Sequence, residues 1–527
     1  MTGTVIDAGA AGRSAIPPDV VRRLTRRVVA GPRAATVTTT APFTGASLAE
    51  LPVSTPDDVR VAVDAARAAQ RAWARRPLSE RARPLLVLHD LVLDAQDELL
   101  DLIQLENGKA RVNALEEVFD VAMNARHYGR RASSYLRPRR RAGAMPLITR
   151  PVESHHPKGV VGVISPWNYP LTLAISDALP AIVAGNGVVL KPDTQTALTA
   201  LRGLELLTRA GVPEGLVQVV VGEGPVVGSA LVDAVDYVCF TGSTTTGRLV
   251  AERAGRRLIG ASMELGGKNS LYVADDADLD RAAEGAVRAC FASTGQLCIG
   301  IERLLLHEAV ADAFLDRFLT RVRGLRLGAG LDFSADVGSL TSRRQLDVVS
   351  RHVEDAVSHG ARVLAGGRAR PDVGPLFYEP TVLDGVPRTA ECYNAETFGP
   401  VVSVYRVQDD DEAVALANEG DYGLNASVWT RDVARGRRIA ARVVAGIVNV
   451  NEAYGPAWGS VAAPMGGMRA SGLGRRHGAE GILKYTETQN VTAQHLMGLG
   501  VPDGMTPEKW ARTMTTVLQA LKRLGAR

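Results

Sequence analysis

Two kinds of hydrophobic spacing divide this chain. Over roughly the first 158 residues, apolar positions recur at the three- and four-residue intervals of helices with one buried face. In 55-TPDDVRVAVDAARAAQRAW-73, Thr55 is placed to cap a helix, Pro56 suits its first position, and Asp57 and Asp58 favour the positive end of its dipole. A second helix is predicted over 79–107, stopping at Gly108, and a third over 114–135; residues 1–50 read as irregular. Beyond 158 the pattern changes to short apolar runs alternating with helical stretches. The first series is 159-GVVGVI-164, 186-NGVVLK-191, 217-VQVVVG-222 and 235-VDYVCF-240. The second is 270-SLYV-273, 304-LLLH-307, 362-RVLA-365, 401-VVSVYRV-407 and 446-GIVNV-450. Runs apolar on both faces, each followed by a helix, predict parallel strands sandwiched by helices. An α/β fold with two such domains follows, one ending near 262 and one running from there to about 445. In 506-TPEKWARTMTTVLQALKRLG-525, Trp510, Met514, Val517, Leu518, Leu521 and Leu524 share one helical stripe. That helix is expected to pack on its own subunit or a partner; a membrane-surface role is the alternative, on a polar face only modestly basic.

Composition narrows the function classes. A chain of 527 residues exceeds one simple core and fits two or three units. Lys and Arg number 61 against 57 acidic residues, a net charge of +4 that gives no reason to expect nucleic acid as a partner. The dense basic run 137-RPRRRA-142 reads as a solvated hairpin or an interface edge. Four cysteines, at 239, 290, 298 and 392, form no C-x-x-C pair and no disulfide framework, so a reducing, cytoplasmic setting is expected. Residues 1–30 lack an apolar core and no run of about 18 apolar residues occurs, so neither a signal peptide nor a membrane span is expected.

Several short segments place reactive side chains beside glycine. The stretch 238-VCFTGSTTTG-247 reads as a strand, a small-residue turn and a helix start, where free backbone N–H groups suit a pyrophosphate; many α/β loops look similar. The nearby 222-GEGPVVG-228 is one residue longer than the dinucleotide fingerprint and reads as a strand-to-helix turn. Cys298, in 293-STGQLCIG-300, is flanked by glycines that let backbone amides approach a reacting atom. Taken alone, it is equally an inert buried thiol. Glu264, in 262-SMELGGKNS-270, is a base of the kind that covalent catalysis followed by hydrolysis needs, or else a surface carboxylate. Asn168, in 164-ISPWNYPL-171, sits between prolines where a fixed amide can donate to an oxyanion, or is only a turn residue.

Taken in order, SPWNYP, LKPDT, FTGS, MELGGK, GQLC and ETFGPVV resemble the aldehyde dehydrogenase superfamily, and 446-GIVNVN-451 and 464-PMGGMRASGLGR-475 fit as well. The resemblance covers residues from about 55 to about 490. It implies an aldehyde dehydrogenase-like α/β fold. A Rossmann-like nucleotide-binding domain would comprise 1–133 and 158–261, an α/β catalytic domain 262–445, and a β oligomerisation arm 134–157 and 486–494. Residues 495–527 would add a C-terminal helical extension, and the subunit would join a homodimer or homotetramer. The resemblance implies no metal.

It also implies roles. Cys298 would attack the aldehyde carbonyl, with the oxyanion held by the Asn168 side chain and the Cys298 backbone N–H. Hydride transfer to NAD(P) would leave a thioester, and Glu264 would activate the water that releases the acid. Lys191 would bind ribose hydroxyls, with Trp167, Pro192, Asp193 and Thr194 along the adenosine. Thr241, Gly242 and Ser243 would line the pyrophosphate, with Asn168 beside the same cofactor. Leu265 would touch the nicotinamide, and Glu396 would hold its ribose with Phe398 nearby. NAD-preferring relatives often carry Glu where Thr194 stands, so NADP is expected and NAD is the alternative; Asp193 next door works against that preference.

The chain is most similar to bacterial succinate-semialdehyde dehydrogenases, in GQLCIGIER and in its extended tail. Members with well-defined pockets for that substrate often carry arginines where this chain has Ser176 and Ala292, so a carboxylate clamp must come from elsewhere. Gly300 replaces the second cysteine that permits redox control in some members. The small-molecule substrate is therefore expected to be succinate semialdehyde, with broad-specificity oxidation of aliphatic or aromatic aldehydes as the alternative. A CoA-acylating enzyme would usually lack Glu264. A non-catalytic nucleotide-binding protein on the same fold would bind without turnover.

Overall fold

Strands apolar on both faces have to be covered on both sides, and that requirement sets the layering. The computed structural model describes residues 15–144, 148–495 and 498–525. Six strands lie in the order Gly472–Leu473, Gly260–Glu264, Tyr237–Thr241, Val160–Ile164, Gly187–Lys191 and Val217–Val219, all parallel except the first. The chain builds outward from Val160–Ile164 through Gly187–Lys191 and Val217–Val219. It then returns to Tyr237–Thr241 on the other flank. The order therefore reverses between Val160–Ile164 and Tyr237–Thr241, and the loops leaving their carboxyl ends splay apart to open a crevice.

Seven strands form the second sheet, in the order Arg362–Ala365, Thr381–Asp384, Val401–Val407, Ile301–His307, Asn269–Val273, Asn425–Trp429 and Ile447–Val450. Only Arg362–Ala365 is antiparallel. A three-stranded antiparallel sheet pairs Thr486–Gln494 with Thr149–Pro157 and adds Arg139–Arg140, so the basic run contributes a short edge. The domain limits expected at 262 and 445 both shift. Glu264 still pairs with Thr241 in the six-stranded sheet, and the seven-stranded sheet continues to Val450.

The helices follow their local signals with one exception. Thr55 accepts from Asp58 N while Asp58 accepts from Thr55 N, a reciprocal cap on Pro56–Ala74. The helix expected over 79–107 is two, Leu78–Asp94 and Gln96–Asn107, broken at Ala95 with φ −91° and ψ 13°. The break lets Leu85, Leu88 and Val92 bury in the same core as Leu99, Leu100 and Ile103, which one straight helix of about 43 Å would not manage. The helix expected over 114–135 spans Arg111–Leu136.

The C-terminal helix, Pro507–Arg523, is capped by Thr506 as expected. It buries no residue, and Leu518 stays 58% exposed. Trp510, Met514 and Leu521 are half-buried and no residue of 498–525 is fully buried, so among the described residues the stripe is not packed into a core of its own subunit, and a partner remains the other expected cover. No helix among the described residues is long and apolar enough to cross a membrane.

Candidate active site

The expected residues collect where the two large sheets meet end to end. Lys191, Thr241 and Glu264 each close a strand of the six-stranded sheet, and Trp167 and Asn168 follow Val160–Ile164. Opposite them, Asn269 opens a strand, Cys298 precedes Ile301–His307, and Glu396 and Phe398 precede Val401–Val407. Carboxyl ends of one sheet thus face amino ends of the other. Three contacts cross the gap: Asn168 Nδ2 donates to Gln296 O at 2.9 Å, Gly267 N donates to Glu396 Oε1 at 3.0 Å, and Trp167 meets Phe398 edge-on at 5.5 Å.

The Cys298 loop is held in an uncommon shape. Ser293 and Thr294 have φ of 52° and 57°, and Gly295 follows at 70°. A Cβ on Gly295 would lie 2.0 Å from Gly399 O, so only glycine fits there. Asn113 Oδ1 accepts from Ser293 N at 2.9 Å, and Asn269 Nδ2 donates to Cys298 O at 2.8 Å. Cys298 itself is half-buried. Burial, with the Glu396 and Glu264 charges beside it, pushes its thiol up to about 12, so the resting group is the neutral thiol.

Glu264 is buried, and its Oε1 has no hydrogen-bond partner among the described residues. Burial raises its carboxyl to about 7 against the opposing pull of Arg476 and Lys484, which suits a proton acceptor near neutral pH.

Beneath Asn168 lies a buried ion pair. Lys109 Nζ donates to Asn168 O at 2.6 Å and to Glu117 Oε1 at 2.7 Å, and it stands 3.6 Å from the Tyr169 ring centroid. Glu117 Oε2 accepts from Leu171 N at 2.8 Å and Thr172 N at 3.2 Å. Trp167 is fixed likewise, its carbonyl accepting from Asn107 Nδ2 at 3.0 Å.

Residues expected at a nicotinamide dinucleotide line one side of this crevice and fit such a ligand. Lys191 is buried, and among the described residues its ammonium donates only to Pro192 O, at 3.3 Å. Burial lowers its pKa while Asp193 and Glu223 raise it, so a carboxylate from 222-GEGPVVG-228 also faces this lysine. Thr241 Oγ1 is buried without a partner among the described residues. Ser243, next to Gly242, accepts from Thr246 N at 3.3 Å to cap Thr244–Arg256, a helix start whose other first-turn N–H groups have no partner within the helix. Leu265 packs against that turn, for a Cβ on Gly247 would fall 2.4 Å from its Cδ2. Glu396 rests on Gly266 in the same way, and burial lifts its carboxyl to about 8. Asp193 turns its carboxylate back to accept from Gln195 N at 3.0 Å, capping Thr194–Thr196. An underused buried ammonium, an unpartnered hydroxyl and an open helix start suit a ligand rich in hydroxyls and phosphate.

On the other side of Cys298 opens a cavity, partly open to solvent. Tyr169, Leu173, Leu297, Tyr454, Trp458 and Met465 supply most of its wall, with Glu116, Asp120, Arg476 and His477 among the polar groups. Ser176 instead donates its hydroxyl to Asp120 Oδ2 at 2.6 Å. Arg476, which sequence reasoning passed over, brings a cation to the wall, with Nε 2.9 Å from Asp177 Oδ1. Lys109, Glu117, Asn269 and Glu223 were also passed over. Asn269 lies in 262-SMELGGKNS-270 and Glu223 in 222-GEGPVVG-228, whereas Lys109 and Glu117 carry no local signal.

Comparison with known proteins agrees with this arrangement. The model of the Aldehyde dehydrogenase family matches residues 29–491. A Mycolicibacterium smegmatis protein named "Putative succinate-semialdehyde dehydrogenase NADP(+)" is 54% identical over 485 residues, 92% of this chain and 94% of that one. An NAD-dependent aldehyde dehydrogenase from Sinorhizobium meliloti superposes with a TM-score of 0.86 at 34% identity, covering 93% of this chain and 100% of the other. Betaine aldehyde dehydrogenase from Staphylococcus aureus, in complex with NAD+, gives 0.86 at 27% identity, covering 93% and 99%.

Proposed function

The chain belongs to the aldehyde dehydrogenase family, and from that premise we propose that it oxidises an aldehyde to its carboxylic acid through a thioester on Cys298. The observation that carries the reading is a half-buried thiol at the cavity wall with Asn168, and near it the buried Glu264 carboxylate, whose Oε1 has no partner among the described residues. Glu264 takes the thiol proton as Sγ bonds to the carbonyl carbon. The Asn168 amide and the Cys298 backbone N–H hold the resulting oxyanion. A nicotinamide dinucleotide, when bound, accepts hydride from the substrate carbon. Lys191 and Ser243 hold its adenosine and phosphate side, and Leu265, Glu396 and Phe398 position its nicotinamide end. After releasing that first proton to solvent, Glu264 deprotonates the water that attacks the thioester carbon and passes this second proton to the departing Cys298 sulfur as the acid forms.

We read the substrate as succinate semialdehyde and the cofactor as NADP. The name of the M. smegmatis relative supports both, and Arg476 supplies the cation that positions 176 and 292 lack. Thr194 leaves space for a 2'-phosphate, and the Asp193 carboxylate is engaged in its cap. A second reading, an uncharged aliphatic or aromatic aldehyde, is favoured by the aromatic and aliphatic wall and by the prior pairing of Arg476 with Asp177.

In this scheme the six-stranded half binds nucleotide, the seven-stranded half carries Cys298, and the three-stranded sheet joins subunits of a homodimer or homotetramer. Four unpaired cysteines favour a reducing, cytoplasmic setting.

The deciding experiment follows reduced-nicotinamide absorbance with NAD or NADP against succinate semialdehyde, hexanal and benzaldehyde. Highest kcat/KM for succinate semialdehyde with NADP by about tenfold, or about 1.4 kcal/mol, supports the first reading. The neutral aldehydes leading supports the second, and nucleotide binding without any turnover overturns both.

A further inference from the structure

Three consecutive carbonyls of the Cys298 loop are each taken by an asparagine side chain. Asn269 Nδ2 donates to Cys298 O at 2.8 Å and to Gly300 O at 2.7 Å. Asn425 Nδ2 donates to the carbonyl between them, Ile299 O, at 2.7 Å. The asparagines are themselves joined: Asn269 Oδ1 accepts from Asn425 N at 3.0 Å, and Asn449 Nδ2 donates to Asn425 Oδ1 at 2.9 Å. Asn269 and Asn425 open adjacent parallel strands, Asn449 lies on the next strand, and all three are buried. Gly267 completes the fit, since a Cβ there would lie 2.7 Å from Asn269 Oδ1 and 3.0 Å from Cys298 O.

The pattern has a directional consequence. A peptide plane carries its C=O and the following N–H on opposite sides, so anchoring a carbonyl also aims an N–H. Leu297 O is anchored by Gly300 N at 2.8 Å, which sets the plane carrying the Cys298 N–H. The asparagines fix the next planes, so the backbone on both sides of Cys298 is specified, and with it the Cα–Cβ vector that aims the thiol. Without them, Gly295 and Gly300 would leave a loop free to sample other shapes.

We propose that Asn269, supported by Asn425 and Asn449, is a positioning residue that holds the Cys298 thiol and backbone N–H in register with the Asn168 amide. The proposal rests on the reading of Cys298 as the nucleophile. Asn269 touches neither substrate nor cofactor; it acts through the loop carbonyls.

The test compares Asn269→Ala, Asn269→Ser and Asn168→Ala singly and combined, with Cys298→Ala as a separate control. Asn269→Ala is expected to lower kcat about thirtyfold or more while KM for aldehyde and the Kd for NADP change less than about threefold. Serine, which restores one donor, should recover part of the loss. Adding Asn168→Ala to Asn269→Ala should cost far less than it costs the parent, because both changes spoil the same oxyanion geometry. If Asn269→Ala fails to fold, Asn449→Ala, one bond further from the loop, should show a smaller loss with the same signature. A folded variant with kcat within about threefold of the parent, or full multiplication with Asn168→Ala, overturns the proposal. A fully active Cys298→Ala would instead overturn the nucleophile reading itself.

Discussion

Asn168 spends one N–H of its side-chain amide on Gln296 O, 2.9 Å away and two residues before Cys298. The bond ties the carboxyl end of one sheet to the loop at the amino end of the other. The second N–H remains available for an oxyanion forming at the substrate carbon. Asn168→Ala is therefore expected to lower kcat about 100- to 1,000-fold, equivalent to about 2.7–4 kcal/mol of lost transition-state stabilisation. Steady-state kinetics with saturating NADP, beside an unchanged circular dichroism spectrum, checks it. A drop of less than about fivefold would remove Asn168 from the oxyanion site.

The pH dependence follows from two raised groups. Burial lifts Glu264 to about 7, and burial with nearby carboxylates lifts Cys298 to about 12. In the proposed mechanism both lose a proton to act, so protonation at low pH is expected to inactivate each of them. The rate should climb with pH through the region of about 6 to 8 as Glu264 ionises, then flatten once it is ionised if it serves as the base for both steps. Glu264→Gln should abolish that rise and stop steady turnover. With Glu264 the base for both steps, no burst of reduced nicotinamide is expected in stopped flow; a burst of one per subunit would show that another group takes the thiol proton and that only deacylation fails. Wild-type-like steady turnover in that variant would place the base elsewhere.

Lys109 and Glu117 form an ion pair with both side chains fully buried. Burial lowers the pKa of Lys109 and raises that of Glu117, and the attraction between the two opposes both shifts. Lys109→Met leaves a carboxylate with no counter-charge beside two backbone N–H donors, at an expected cost of about 3–5 kcal/mol. A urea midpoint shift reports it. Lys109→Met with Glu117→Gln should recover part of the stability but not the activity, because Asn168 O has still lost its anchor.

Cofactor preference is expected to rest on a small side chain, Thr194. Thr194→Glu puts a carboxylate beside Lys191, where it can accept a ribose hydroxyl and repel a 2'-phosphate. The ratio of kcat/KM for NADP over NAD is expected to fall by about tenfold or more. An unchanged ratio would mean that Asp193 or Glu223 already sets the local field.

What could be read in the sequence was what local patterns carry. Lys191, Thr241 and Glu264 stood at the ends of apolar runs, and strand ends are where an open α/β sheet places its ligands. Thr55 and Thr506 announced their helices through caps. Other features had no local mark. Lys109 meets Asn168 across 59 residues, and Asn269 meets Asn425 across 156 because their strands pair side by side in the seven-stranded sheet. Ala95 breaks a helix with neither glycine nor proline at the break, for tertiary burial decides it. Positive φ at Ser293 and Thr294 is likewise imposed by packing, since neither residue type favours it.

The C-terminal helix separates two physical situations. Pro507–Arg523 buries nothing, so removing it from a single subunit forfeits no core contact. A chain ending at residue 505 is then expected to keep its melting temperature within about 1 °C and its kcat unchanged. A helix of this length is marginal in water by itself, and Val517, Leu518 and Leu524 lie exposed along its apolar side. If the truncated chain melts several degrees lower, some surface must cover that stripe in solution. Light scattering then identifies the cover: a loss of stability accompanied by a smaller oligomer means that a second copy supplies it, and a loss at constant mass means that the helix folds back onto its own subunit.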